Sequence, residues 1–163
     1  MSQLSYADQV NAFEGMKADS GFDDVLSFLA EGNQIIGKLM VRGTDPDRQA
    51  AAPSSSALVT NPNSALGVLI HSHDRETDVS VSAATVKDKE EMNIMHNGRC
   101  YVKVEEAVTP ASPVFVRFAS GGGGSLLGSF RQDADTATAV QLPGAKYMSS
   151  AAAGEFAVLE LDL

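Results

Sequence analysis

Two histidines one residue apart, His71 and His73 in "HSHD", are the side chains of this sequence best arranged for chemistry. On a strand, residues i and i+2 point to the same face, so the pair could chelate one metal ion. Glu76 and His96 could supply further ligands. A second candidate is "FASGGGGSLLGSF", Phe118 to Phe130, where four glycines precede Ser125 and could wrap backbone amides around a phosphate. A phosphate loop of that kind needs G-x-x-x-x-G-K-[ST]. Gly123 and Gly128 have the gap, but Ser129 and Phe130 follow where lysine and a hydroxyl are required. A dinucleotide fingerprint needs a strand before it and a helix after it, and both flanks here read as strands. The run is therefore expected as a connection. A nucleophile elbow fails too, because Leu127 stands where a glycine must follow Ser125. Cys100 lies beside Arg99, which could lower its pKa, but no histidine is its evident partner, and a half-buried strand thiol is expected.

All of these candidates depend on the elements that carry them. The 163 residues suit one domain, or one domain with an arm, and 44% hydrophobic content can bury a core. A formal charge of −9 opposes nonspecific binding to nucleic acid or to an anionic membrane. One cysteine excludes an internal disulfide framework. No apolar run approaches the ~20 residues of a membrane helix, and Met1 to Val10 has no signal-peptide core, so a soluble intracellular protein is expected.

Residues 1–32 differ from the rest. Leu4, Tyr6, Val10, Phe13 and Met16 recur at a loosely helical spacing broken by Gly15 and Gly21. "GFDDVLSFLAEG", Gly21 to Gly32, predicts a short helix with Val25, Leu26 and Leu29 on one side and Gly32 as its stop. An arm on a surface and a pair of packed helices both fit this stretch. From residue 33 to 163 the pattern is β. Gln34 to Val41 reads as one strand with a glycine bulge, Ala65 to His73 is an apolar run, and Asn97-Gly98 predicts a tight turn between alternating segments. Beyond that turn Cys100, Val102 and Val104 face one way, Tyr101 and Lys103 the other. "PVFVRF" puts Val114, Val116 and Phe118 on one face, and "GEFAVLELDL" is a closing strand. "KDKEE", Lys87 to Glu91, mixes signs as a solvated loop does, and "TDPDRQ" has too few oxygen ligands for calcium. About six or seven short strands with frequent turn signals predict a mainly β fold, a barrel or sandwich preceded by an N-terminal arm with short helical segments.

Three family resemblances bear on function. The H-x-H of His71 and His73, with Glu76 and His96, is similar to the metal motif of cupins, although the cupin glycine spacing and Pro-x-Gly segment are absent. "GVLIHSHDRETDVSVSA" resembles the H-S-H-P…S-x-x-D core of zinc-dependent deubiquitinases, but Asp74, Val81 and Ala84 replace its proline, serine and acid. The third resemblance runs from about Phe13 to Leu161. Gly15, Met16, Ala18, Asp19 and Gly21 match the opening Gly-Met-x-Ala-Asp-x-Gly of tailed-phage structural cement, or capsid decoration, proteins. Ile35 or Ile36 with Gly37, then "ALGVLIHSHD", "NIMHNGRCYVKVEEAVTPASPVFVRF" and "LPGAKYMSSAAAGEFAVLEL" follow in that family's order, with longer polar inserts at Asp45 to Asn63 and Arg75 to Lys89.

This last resemblance implies a non-enzymatic, cofactor-free protein of the virion. It would be assembled in the host cytoplasm, bind the outer surface of an icosahedral capsid and clamp neighbouring copies of the major capsid protein. It also implies a homo-oligomer, with a trimer favoured over a dimer. An extended arm supplies contact area with few residues, many copies on a lattice add avidity, and an open sheet edge can add strands to a partner. Tyr6, Phe13, Met16, Phe22, Leu26 and Phe28 are then the expected capsid interface.

The rival is a metal-dependent β-barrel enzyme, cupin-like or zinc hydrolase-like, using His71 and His73. Elemental analysis of protein purified without chelator separates the two. The cement reading expects no stoichiometric metal, and a metal lost in His71→Ala would establish the rival.

Overall fold

Ala65 to Ile70 is apolar at every position but Gly67, and a strand of that kind must be covered on both faces. The computed structural model describes residues 12–71, 84–121 and 125–163, and all six of these residues are buried in it. They separate two cores. Leu66 and Leu69 belong to one, and Ala65, Val68 and Ile70 to the other.

The described residues form β1 (Asp24–Ala30), β2 (Gln34–Ile35), β3 (Leu39–Arg42), β4 (Gln49–Ala51), α1 (Ser56–Thr60), β5 (Ala65–Leu69), β6 (Thr85–Val86), β7 (Glu91–Lys103), β8 (Phe115–Arg117), β9 (Phe130–Arg131), β10 (Ala139–Gln141), β11 (Ala145–Tyr147) and β12 (Phe156–Asp162). Seven strands join in the order β1-β4-β3-β5-β7-β12-β11, and β1 also pairs with β7, which closes β1, β4, β3, β5 and β7 into a barrel. β12 and β11 extend the sheet from the far half of β7. β10-β8-β9 form a second, three-stranded sheet, and β2 pairs with β6. The fold is mainly β with a closed barrel, as its alternation predicts.

The smaller core fills the barrel with Ala30, Met40, Ala50, Leu66, Met92 and Ile94, flanked by the partly buried Leu26 and Phe28. The larger core lies between the other face of those strands and the second sheet. It includes Leu39, Val41, Met95, Cys100 and Val102 opposite Val116 and Phe130, with Tyr147 and Leu159.

Three local expectations are corrected. Gly21 to Gly32 is not a helix, because its Asp24–Ala30 portion is β1, paired antiparallel with β7 and parallel with β4 at Leu29 and Ala30. Its apolar residues fit either period, and the long edge of β7 decides for the strand. So residues 24–30 of the expected arm are built into the barrel. Gln34 to Val41 is two strands broken at Gly37, whose φ is +81°.

Asn97-Gly98 makes no hairpin but sits inside the 13-residue β7. There the β1 register skips His96, pairing Val25 with Met95 and Asp24 with Asn97. One extra residue reverses which side chains face which side. Met92 and Ile94 thus point into the barrel while Cys100, Val102 and Val104 reach the second core. β5 carries a matching irregularity, since β3 pairs Met40 with Gly67 and Val41 with Ala65.

Gly67 sits at φ +134°, where an added Cβ would lie 1.9 Å from the Met95 carbonyl oxygen. Gly67→Ala is expected to destabilise by about 2–4 kcal/mol, from strain plus a backbone clash. Gly154→Ala, at φ +81° with nothing within 4 Å, should lose only about 1 kcal/mol. Urea unfolding of the two variants checks the difference.

Candidate functional site

The N-terminal segment is fastened to β7 through its backbone. Gly15 N–H donates to the Tyr101 carbonyl (2.8 Å), Tyr101 N–H to the Met16 carbonyl (2.8 Å), and Ala18 N–H to the Arg99 carbonyl (2.9 Å). His71 N–H donates to the Gly15 carbonyl (2.9 Å), tying the same segment to the end of β5. Gly15 is at φ +78°, and a Cβ there would lie 2.4 Å from Ile36 Cγ2, so only glycine fits. Glu14 forms a salt bridge with Lys38, which is buried. Asp19 accepts from Gly21 N–H (3.0 Å) and pairs with Arg99 (3.3 Å), whose Nε also donates to Glu160 on β12 (2.7 Å).

The structure divides the expected interface residues. Phe13 is 42% exposed and meets the His71 ring edge-on at 5.3 Å, Met16 is half-buried, and Phe22 is 90% exposed. Leu26 and Phe28 turn toward the barrel core, and the Arg42 guanidinium lies 5.6 Å from the Phe28 ring centre. The outward apolar residues of β1 are instead Val25 and Leu29, which strand alternation exposes and a helical reading would have paired with Leu26. Tyr6 lies outside the described residues.

The chemical candidates are placed as follows. His73 and Glu76 lie outside the described residues. His96 Nδ1 lies 2.8 Å from the Leu66 carbonyl, which must accept, so the ring bridges the two irregular strands. Among the described residues, no group of three His, Cys, Asp or Glu side chains could hold a metal ion. Burial pushes the Cys100 thiol up to about 12, away from nucleophilic use. Gly121 N–H donates to Ser125 Oγ (3.0 Å), and Gly122 to Gly124 lie outside the described residues.

One cluster has no counterpart in the sequence reading. Arg117 on β8 and Arg131 on β9 are buried, 3% and 8% exposed. Arg117 grips both Glu105 oxygens with Nε and Nη2 (2.7–3.1 Å) and Asp135 with Nη2 (2.7 Å). Arg131 pairs with Asp133 (2.7 Å), Asp135 (3.0 Å), Glu105 (3.1 Å) and Glu106 (3.2 Å). The Tyr147 hydroxyl caps the Arg131 carbonyl (2.9 Å). These carboxylates occupy the donors that would otherwise hold an anion in the open cleft of about 440 Å³ above, lined by Lys38, Lys103 and Ser125. The cluster therefore ties β8, β9 and the turn at Asp135 to Thr138 together, and it is structural. Asp135, Thr136 and Ala137 all have positive φ, a strained run that this anchoring supports. The available signal was an arginine followed at two and four residues by Asp133 and Asp135.

With this geometry in view, a model of the family described as structural cement protein (E217 gp24/Pam3 gp6) matches residues 2–162. The chain belongs to that family. It is a structural protein of a phage capsid. A chain from the capsid of Myoviridae phage XM1 has a similar fold, with a TM-score of 0.70 and 12% identity over 95% of this chain and 93% of its own. The head fibre gp8.5 N base of bacteriophage phi29 is more distant, with a TM-score of 0.43 and 9% identity over 86% and 95%. No curated protein matches the sequence. In this cement protein the opening Gly-Met-x-Ala-Asp-x-Gly stretch is the part that docks on β7 and Arg99.

The Arg117 hydrogen bond, the largest cause, holds the Asp135 carboxyl below its ordinary value of 3.8. A depressed folded pKa contributes stability above the unfolded pKa and loses it as pH falls through the folded one. The Tm gap between the native protein and Asp135→Asn should hold steady from pH 7 toward pH 4 and close below the ordinary value. Arg117→Met strands the partly buried Glu105 and should cost about 3 kcal/mol at pH 7. Thermal melts across pH check both.

Proposed function

We propose that this cement protein binds the outer surface of the capsid and holds neighbouring major capsid proteins together. The match to the cement family over residues 2–162 carries the reading. The physical case agrees with it. A clamp at a subunit junction needs area on two neighbours and a body that does not yield under load. The doubled core and the buried arginine cluster give the body stiffness. Apolar side chains left in the open, Phe22 above all, with Phe13, Val25 and Leu29, supply contact area. A net charge of −9 leaves nucleic acid and anionic membranes as poor partners. The working assembly in this reading is a homo-oligomer on the shell, a trimer in preference to a dimer.

The N-terminal residues, Tyr6 among them, are assigned to the major capsid protein or a neighbouring copy. Because Asp24–Ala30 is a barrel strand, a deletion that tests this must stop short of it. Removing residues 1–11 should lower the protein's occupancy on purified capsids and reduce the heat resistance of the particles, with the melting temperature of the free variant measured as the folding control. Unchanged occupancy and heat resistance would remove the N-terminal residues from the clamp. Failure of the full chain to bind capsids at all would end the cement reading itself.

A further inference from the structure

β1 is half-paired. Ala30 N–H donates to the Glu90 carbonyl (2.8 Å), toward β7, while Leu29 N–H donates to the Arg48 carbonyl (2.8 Å), on the opposite side. Backbone groups alternate along a strand, so Val25 and Ser27 point their N–H and C=O the same way as Leu29. On that side β4 reaches only Leu29 and Ala30. No strand among the described residues lies beside Val25 or Ser27 on that side. The same stretch carries Val25 and Leu29 facing outward, 37% and 39% exposed, just beyond the bare Phe22.

The charge around this edge is net acidic, although the exposed Arg48 lies beside Leu29. Asp24 is exposed at its start, and Asp45 and Asp47 are exposed in the turn before β4. At the N-terminal end of β1 a cleft of about 520 Å³ is lined by Phe22, Asp19, Glu160 and Asp162, against the single cation Arg99. Asn97 lines it too, and its buried Oδ1 accepts no hydrogen bond. An edge with exposed apolar side chains and net acidic flanks suits an extended segment bearing lysine or arginine beside aliphatic residues. A second copy of this chain would bring the same acidic edge to it.

We infer that the open edge of β1 from Asp24 to Phe28 is a strand-addition site for a basic, extended segment of the capsid partner. This rests on the cement reading and specifies its contact. The partner strand continues the sheet where β4 ends, covers Val25 and Leu29, and sets a cationic side chain in the cleft beside Asn97.

The test uses the full chain and cognate capsids assembled without it. Ser27→Pro removes an N–H that strand alternation directs away from β7, which blocks strand addition there. Occupancy should fall about tenfold or more, while Ser27→Thr binds normally. Asp24→Lys should also weaken binding, and salt should weaken the native protein's binding. Amide exchange on the native chain decides the matter if Ser27→Pro fails to fold. Val25 and Ser27 should exchange fast in the free protein and slowly on capsids.

Native chain that binds capsids with these two amides still fast, or folded Ser27→Pro that binds as well as native, overturns the inference and leaves the cement reading intact. Slowing of the same amides in free protein as its concentration rises would make the occupant a second copy and overturn it too. Absence of any native binding defeats the cement reading, and the inference falls with it.

Discussion

A strand has two edges, and most of this molecule is attached to the two edges of β7. Its first half closes the barrel against β1 and β5, and its second half carries β12 and the N-terminal segment. One strand can serve two cores only if its faces exchange part-way, and the extra residue at His96 makes the exchange. Gly98 then accepts φ +125° beside Asp23 and Met95. The matching irregularity at Leu66 and Gly67 on β5 lets that strand follow, and the His96 ring joins the two. If this register slipped by one residue, Met92 and Ile94 would leave the barrel and the second sheet would lose its floor.

The second sheet is held differently. β8, β9 and β10 are three, two and three residues long, too short for ladder bonds alone to secure them. Val116 and Phe130 anchor one side in the larger core, and Arg117 and Arg131 lock the other through shared carboxylates. A buried arginine is tolerable only because close acceptors, carboxylates and the Thr138 hydroxyl among them, are aimed at its donors. In a structural protein of a capsid, such cross-linking holds short elements that ladder bonds alone would not.

Much of the plan was legible in the residues. The Cys100, Val102, Val104 alternation and the closing strand appear as read, and the Ala65 to His73 run yields β5 over Ala65–Leu69, because burial on one or both faces leaves a direct mark on sequence. The errors fell where a local signal has two physical meanings. Asn-Gly supplies positive φ to a hairpin or to a bulge, and only the presence of β1 and β12 on the same strand chose the bulge. "DVLSFLA" fits a helix face nearly as well as a strand, and the pairing partner lies over sixty residues away. Arg117 reads as an outward residue of an alternating strand until Glu105 and Asp135 arrive to cover it.

The sequence by itself determined the class of fold and the ordered motifs that mark the cement family, because alternation and motif order are properties of the chain alone. Tertiary structure decided which residues are left for a partner. Leu26 and Phe28 went into the barrel, and Val25, Leu29 and Phe22 stayed exposed. Strand alternation against β7 made that choice, and where β4 stops relative to β1 decided which backbone groups meet a described strand. A backbone edge is satisfied or free only once its neighbour has been placed.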